Sequence, residues 1–186
     1  LAQALDPPAF VFCGGEATLE VVGRLVYTVR QVGSAAPVFE YREAMPPDAP
    51  PTVITQHIPE AFSKPFAERL DRHSPMRVCE ASDGQQILPG HAYVAPGNRH
   101  LKVKRDGARF ICKLDNGDPV NRHKPSVDVL FESVAQQVGV NAVAVLLTGM
   151  KTDGAKGMRQ ILDAGAPTIA QDEATSVVHG MPGEAV

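Results

Sequence analysis

Two residues stand where apolar runs give way to polar ones. "TVITQH" (52–57) is a β-branched run ending on His57, and "VLLTGMKTDGAKG" (145–157) passes from a pure apolar run into glycine and Asp153. An Asp bonded to one ring nitrogen of a His fixes its tautomer and stabilises the imidazolium, which leaves the other nitrogen to take a proton. Backbone N–H groups around Gly149, Met150 and the following helix start suit a developing oxyanion. A bland account competes: a strand-end His is more often satisfied structurally, and Asp153 also fits as N-cap of a helix over 154–164. An acyl-transfer site would need a nucleophile as well. The nearest upstream serine is Ser34 in "QVGSAAP", whereas Cys13 has no base near it in sequence.

The elements that must position these residues follow from periodicity. "TVITQH" reads as a buried strand, and "EAFSKPFAERLDRHS" (60–74) as a helix with Phe62, Phe66 and Leu70 on one face. "MRVCEA", "HAYVAPG", "HLKVKRDG" and "ARFICKLD" are short strand-like runs separated by turn residues, and we read residues 76–115 as an antiparallel excursion. "PSVDVLFESVAQQVG" (125–139) predicts a helix with Ser126 as N-cap and Val127, Leu130, Phe131, Val134 and Val138 facing the core. The last third alternates strand "NAVAVLLTG", helix "DGAKGMRQILDAGA" and strand "PTIAQD". Near-continuous apolar strands alternating with amphipathic helices indicate a doubly wound, mostly parallel α/β sheet, here with a β-hairpin excursion. "RLVYTVRQVG" (24–33) reads as a first strand. Residues 1–23, with Pro7-Pro8 and Gly14-Gly15, read as a linker or leading segment, and 24–186 as the main domain. The closing "GMPGEAV" reads like the start of a helix, so the domain is expected to be truncated there.

Bulk composition narrows the class. The chain has 186 residues, 44% of them hydrophobic, enough for one sizeable core, and no window approaches the ~18 continuous apolar residues of a membrane span. A net charge of −3 gives no electrostatic footprint for nucleic acid. The three cysteines, Cys13, Cys79 and Cys112, form neither a disulfide framework nor a zinc pattern, which suits a cytoplasmic protein. His73, His91, His100, His123 and His179 lack metal-site spacing and read as loop or surface residues, and no metal or organic cofactor is expected. "NRHKP" (121–125) is a basic loop entering a helix, placed to steer an acidic partner.

Five blocks, "VITQHIPEAFSKPFAERLD", "ILPGHAYVAPGNRHL", "NRHKPSVDVLFESVA", "AVLLTGMKTDGAKGM" and "TIAQDEATSVVHGMP", resemble in order and spacing the catalytic domain of CheB-type protein-glutamate methylesterases. The resemblance covers about residues 43–186. It implies a doubly wound α/β domain that hydrolyses glutamate γ-methyl esters on methyl-accepting chemotaxis receptors and deamidates selected receptor glutamines. It assigns His57 as catalytic histidine, Asp153 as catalytic aspartate and the Met150 backbone as part of the oxyanion site, in a serine-type mechanism. A soluble monomer without membrane insertion is expected. Family members carry a phosphoacceptor receiver domain, for which residues 1–23 are too short, so it would lie outside this chain.

Two departures from the family pattern stand out. Lys151 occupies a position where the family usually has glycine. The nucleophile string Gly-x-Ser-Thr-Gly-Gly is absent; counting back at the family's spacing lands on Gln31, and reaching Ser34 requires a small deletion. "FCGG" (12–15) keeps the glycine pair but has Phe12 and Cys13 ahead of it. Ser34 is therefore the expected nucleophile, and the alternative is a receptor-binding relative that keeps the His57–Asp153 pair but not the attacking group.

Overall fold

The computed structural model describes the backbone of residues 9–14 and, in full, residues 47–186. The expected strand 24–33 and Ser34 lie outside these residues. In chain order the elements are β1 (Ala9–Gly14), β2 (Thr52–Gln56), α1 (Glu60–His73), β3 (Arg77–Glu80), β4 (His91–Val94), β5 (His100–Asp106), β6 (Arg109–Asp115), α2 (Val127–Gln137), β7 (Ala142–Leu146), α3 (Ala155–Asp163), β8 (Thr168–Ala170) and α4 (Met181–Glu184). Six strands form one sheet in the order β3-β4-β2-β1-β7-β8, and every pairing in it is parallel. β5 and β6 form a separate antiparallel pair.

Strand alternation divides the interior into two cores. Ala142, Ala144 and Leu146 of β7 face α2 and α3, meeting Leu130, Phe131, Val134, Met158 and Ile161. Val143 and Val145 point the other way, toward Ala67 and Leu70 of α1. Successive side chains of a strand alternate between faces, so a strand covered on both reads as an unbroken apolar run. That is why β2 and β7 are buried at every position.

Three expectations are corrected. Ala9–Gly14 lies in the segment read as linker, yet it is a central strand between β2 and β7. The antiparallel excursion is narrower than 76–115, because β3 and β4 join the main sheet in parallel. Parallel neighbours normally need a helical crossover. Here the connection instead runs along β6, with Cys112 N–H donating to Gln85 and Ile87 N–H to Phe110, so its sequence carries no helical signature. In α1 the buried face is Ser63, Ala67 and Leu70, while Phe62 is exposed. The Ser63 hydroxyl donates to Glu80 Oε1 (2.6 Å) and accepts the Gly97 N–H, a polar anchor that apolar periodicity does not register.

Candidate active site

The chain leaves β1 and winds to β2 and β4 on one side and to β7 and β8 on the other. The carboxyl end of β1 is therefore the topological switch point, where open α/β sheets form their crevice. His57 follows β2 and Asp153 follows β7, the two strands that flank β1. Gly97 keeps the chain after His57 close: any Cβ there would run into the Pro59–Glu60 peptide.

Asp153 is fully buried and surrounded by donors. Its Oδ2 receives His57 Nε2–H at 2.7 Å and the Val127 N–H at 2.8 Å. Its Oδ1 receives the Ser126 hydroxyl at 2.7 Å, the Asn121 amide at 3.0 Å and the Asp128 N–H at 3.3 Å. Burial pushes the carboxyl pKa up, but the bonds from His57, Ser126, Val127 and Asn121 outweigh it and bring the value down to about 2. A carboxylate can only accept, so Nε2 of His57 carries the proton and Nδ1 is the basic nitrogen. The His57 side chain is 14% exposed, whereas Asp153 is fully enclosed.

Asp153 does not cap α3 as the bland account expects. The N-cap of α3 is Gly154, with no side-chain cap bond. Gly154 has φ +99°, and a Cβ there would lie 2.6 Å from Val127 Cγ1. The acid instead caps α2, where its charge meets the positive end of the helix dipole. Ser126 holds the N-cap position of α2 but gives its hydroxyl to Asp153 rather than accepting a cap bond. In return Asp128, in the first turn of α2, accepts the Gly157 N–H of α3 at 2.7 Å. Burial raises the Asp128 pKa, and the Asp153 charge adds to this against the bonds from Gly157 and Asn121. The Asn121 amide reaches both acids, at 2.6 Å to Asp128 and 3.0 Å to Asp153.

The Met150 turn is locked from the far side. The Gly149 carbonyl accepts the N–H groups of Gly180 and Met181, and the Thr148 hydroxyl accepts Val178 N–H at 2.8 Å. Met150 is exposed, and among the described residues its N–H has no backbone partner. Lys151 takes φ +70°, the conformation for which glycine is suited.

Sequence reasoning missed Asn121, His123, Asp128 and the donor role of Ser126. The "NRHKP" block, basic in sequence, contributes an amide and an imidazole to the site. His123 stacks on His57 with ring centroids 3.8 Å apart and planes within 4°. His100, expected at the surface, is buried: its Nε2 meets the Asp118 carbonyl and its Nδ1 accepts the Ser126 N–H, tying down the loop ahead of α2. Cys112 is buried with its thiol pushed up to about 12 by burial, and Cys79 is half-buried. Among the described residues no group of three His, Cys, Asp or Glu forms a metal-holding cluster, and no helix is long and apolar enough to cross a membrane.

The fold and site thus define a doubly wound parallel α/β protein with a half-buried His held by a buried Asp at its switch point. Residues 33–186 match the family model for CheB methylesterase, and the chain belongs to that family. It is 56% identical over 181 residues to a protein-glutamate methylesterase/protein-glutamine glutaminase of Xanthomonas campestris pv. campestris, covering 97% of this chain and 51% of that protein. A protein of the same name from Hydrogenovibrio crunogenus is 56% identical over 154 residues, covering 83% of this chain and 41% of its own length. The CheB methylesterase catalytic domain of Thermotoga maritima superposes with a TM-score of 0.83 at 31% identity, covering 97% of this chain and 87% of that one. The chain spans about half the length of the relatives it matches.

Proposed function

We propose that this chain hydrolyses glutamate γ-methyl esters on methyl-accepting chemotaxis receptors and deamidates receptor glutamines, with residues 24–186 and β1 as the catalytic unit. The observation that carries the reading is the 2.7 Å bond between His57 Nε2 and Asp153 at the ends of the strands flanking β1. A side-chain nucleophile attacks the γ-carbonyl while His57 Nδ1 takes its proton, and buried Asp153 stabilises the resulting imidazolium. The Met150 N–H donates to the oxyanion. Collapse returns the proton to leaving methanol, or to ammonia from glutamine. Water, deprotonated by His57, then releases the glutamate from the acyl-enzyme. Side chains and water supply every proton these steps move. The reading carries with it a cytoplasmic, monomeric enzyme acting on a protein substrate.

The nucleophile assigned by the sequence is Ser34. One observation favours a second candidate: the register of β1 sets Cys13 beside Thr55 and Leu146, and Gly14 beside Gln56, next to His57. Labelling with an activated acyl ester, followed by peptide mapping, tests both. The label is expected on Ser34, or on Cys13 under the second reading, and is expected to vanish in His57→Ala. Equal labelling of parent and His57→Ala at either site would contradict base activation by His57.

A further inference from the structure

Three observations converge on His123, a residue outside the Ser-His-Asp scheme. Its ring lies face to face with the His57 ring, 3.8 Å between centroids and 4° between planes. Its Nε2 is buried without a hydrogen-bond partner among the described residues. It is presented by a tight turn, Val120–His123, whose ends exchange backbone bonds of 3.1 and 2.9 Å. The two central residues of that turn, Asn121 and Arg122, both have positive φ (52° and 66°), the hallmark of a type I′ turn. Arginine is a poor choice for such a backbone, because the Cβ of an L-residue crowds the following carbonyl.

Two of these features cost stability. A buried orphan nitrogen forfeits its hydration, and left-handed non-glycine backbone is strained; such costs collect where geometry serves a site. The stack provides what the acid does not. Asp153 holds the His57 ring at Nε2 and the backbone tethers it at Cγ, which leaves the ring able to tilt about the line between them, carrying Nδ1 with it. A flat group against the ring face removes that freedom.

We propose that His123 is a positioning residue whose ring sets the plane of His57, and so the direction of Nδ1, while the same turn's Asn121 orients the Asp153 carboxylate. The proposal rests on the reading of His57 as general base. Burial, together with the charge of His57 and then of Lys151, lowers the His123 pKa against the pull of Asp153, so the stacked ring stays neutral. Two cationic rings face to face would repel.

The test compares three variants of the full chain. His123→Phe keeps a flat ring, His123→Leu keeps volume without flatness, and His123→Ala keeps neither. In ¹⁵N-histidine-labelled protein the His57 Nε2–H held by Asp153 gives a downfield proton whose exchange with water can be measured without turnover. We expect slow exchange in the parent and in His123→Phe, and at least about tenfold faster exchange in His123→Leu and His123→Ala, with thermal unfolding confirming that each is folded. Turnover is expected to follow the same order. Because misplacement of a reacting group costs up to ~100-fold, kcat should fall about 10–100-fold in the Leu and Ala variants with KM within about twofold, and Phe should partly rescue it. Equal exchange in all three variants would overturn the proposal. Absence of the downfield proton in the parent would remove the His57–Asp153 pair itself, and the positioning role with it.

Discussion

Asp153 and Asp128 cap each other's helices. Asp153, at the entrance to α3, accepts the Val127 N–H of α2 at 2.8 Å, and Asp128, in α2, accepts the Gly157 N–H of α3 at 2.7 Å. The crossed caps bind the two helices at their N-termini, and Gly157 permits the close approach, since a Cβ there would lie 2.5 Å from Phe131 Cβ. The acid that holds His57 is thereby part of the helix scaffold. Its position is set by backbone as much as by side chains.

Asp153→Asn follows directly. The amide would turn an NH₂ toward a shell made wholly of donors, leaving buried groups unpaired, and we expect a loss of about 3 kcal/mol. This exceeds the sub-1 kcal/mol cost expected of a simple helix cap. Urea unfolding at neutral pH measures it. The native pKa of about 2 lies below the ordinary 3.8, so the acid's contribution is complete above about 3.8 and lost as pH falls toward about 2. The variant should lack that part of the acid dependence.

His123 predicts a dependence nearer neutrality. Its folded pKa is lowered from 6.5, so the unfolded chain binds the proton first as pH falls. Stability from this group is complete above about 6.5 and declines below it. Burial lowers the His123 pKa, the charges of His57 and Lys151 lower it further, and that of Asp153 opposes them. The urea midpoint of the parent should fall more between about pH 7.5 and 5.5 than that of His123→Phe, which has nothing to protonate there.

Lys151→Gly should stabilise the fold. Left-handed backbone costs a non-glycine residue roughly 1–2 kcal/mol, partly offset by the ~0.5–1 kcal/mol entropy cost of glycine, for a net gain of about 0.5–1 kcal/mol. Lys151 is exposed with φ +70° and has no packing to lose. Thermal unfolding of the variant reads the sign.

How much of this was legible in the sequence depended on the kind of signal. β2, α1, α2, β7 and α3 announced themselves because burial on a periodic face leaves a periodic apolar pattern. His57 and Asp153 were visible as polar residues closing apolar strands. The partnering of β3 and β4 was not visible, since their connection pairs along β6 instead of forming a helix. β1 was missed because its six residues sit among Pro and Gly pairs that read as linker. Ser126 was legible as an N-cap but not as a donor to Asp153, and Asn121 and Asp128 carried no signal, because these roles come from hydrogen bonds that the turn before α2 and the start of α2 make to the start of α3. The positive φ of Lys151 was not legible either, because nothing in the side chain of a lysine signals left-handed backbone.

We propose that the His57–Asp153 pair drives ester hydrolysis on receptors. The most direct measurement is methanol release from methylated chemoreceptor membranes by the parent chain, His57→Ala and Asp153→Asn. We expect release by the parent, and a fall of at least about 10³-fold in His57→Ala, with Asp153→Asn reduced by orders of magnitude. Release that is unchanged in His57→Ala, or absent from a folded parent chain, would contradict the account.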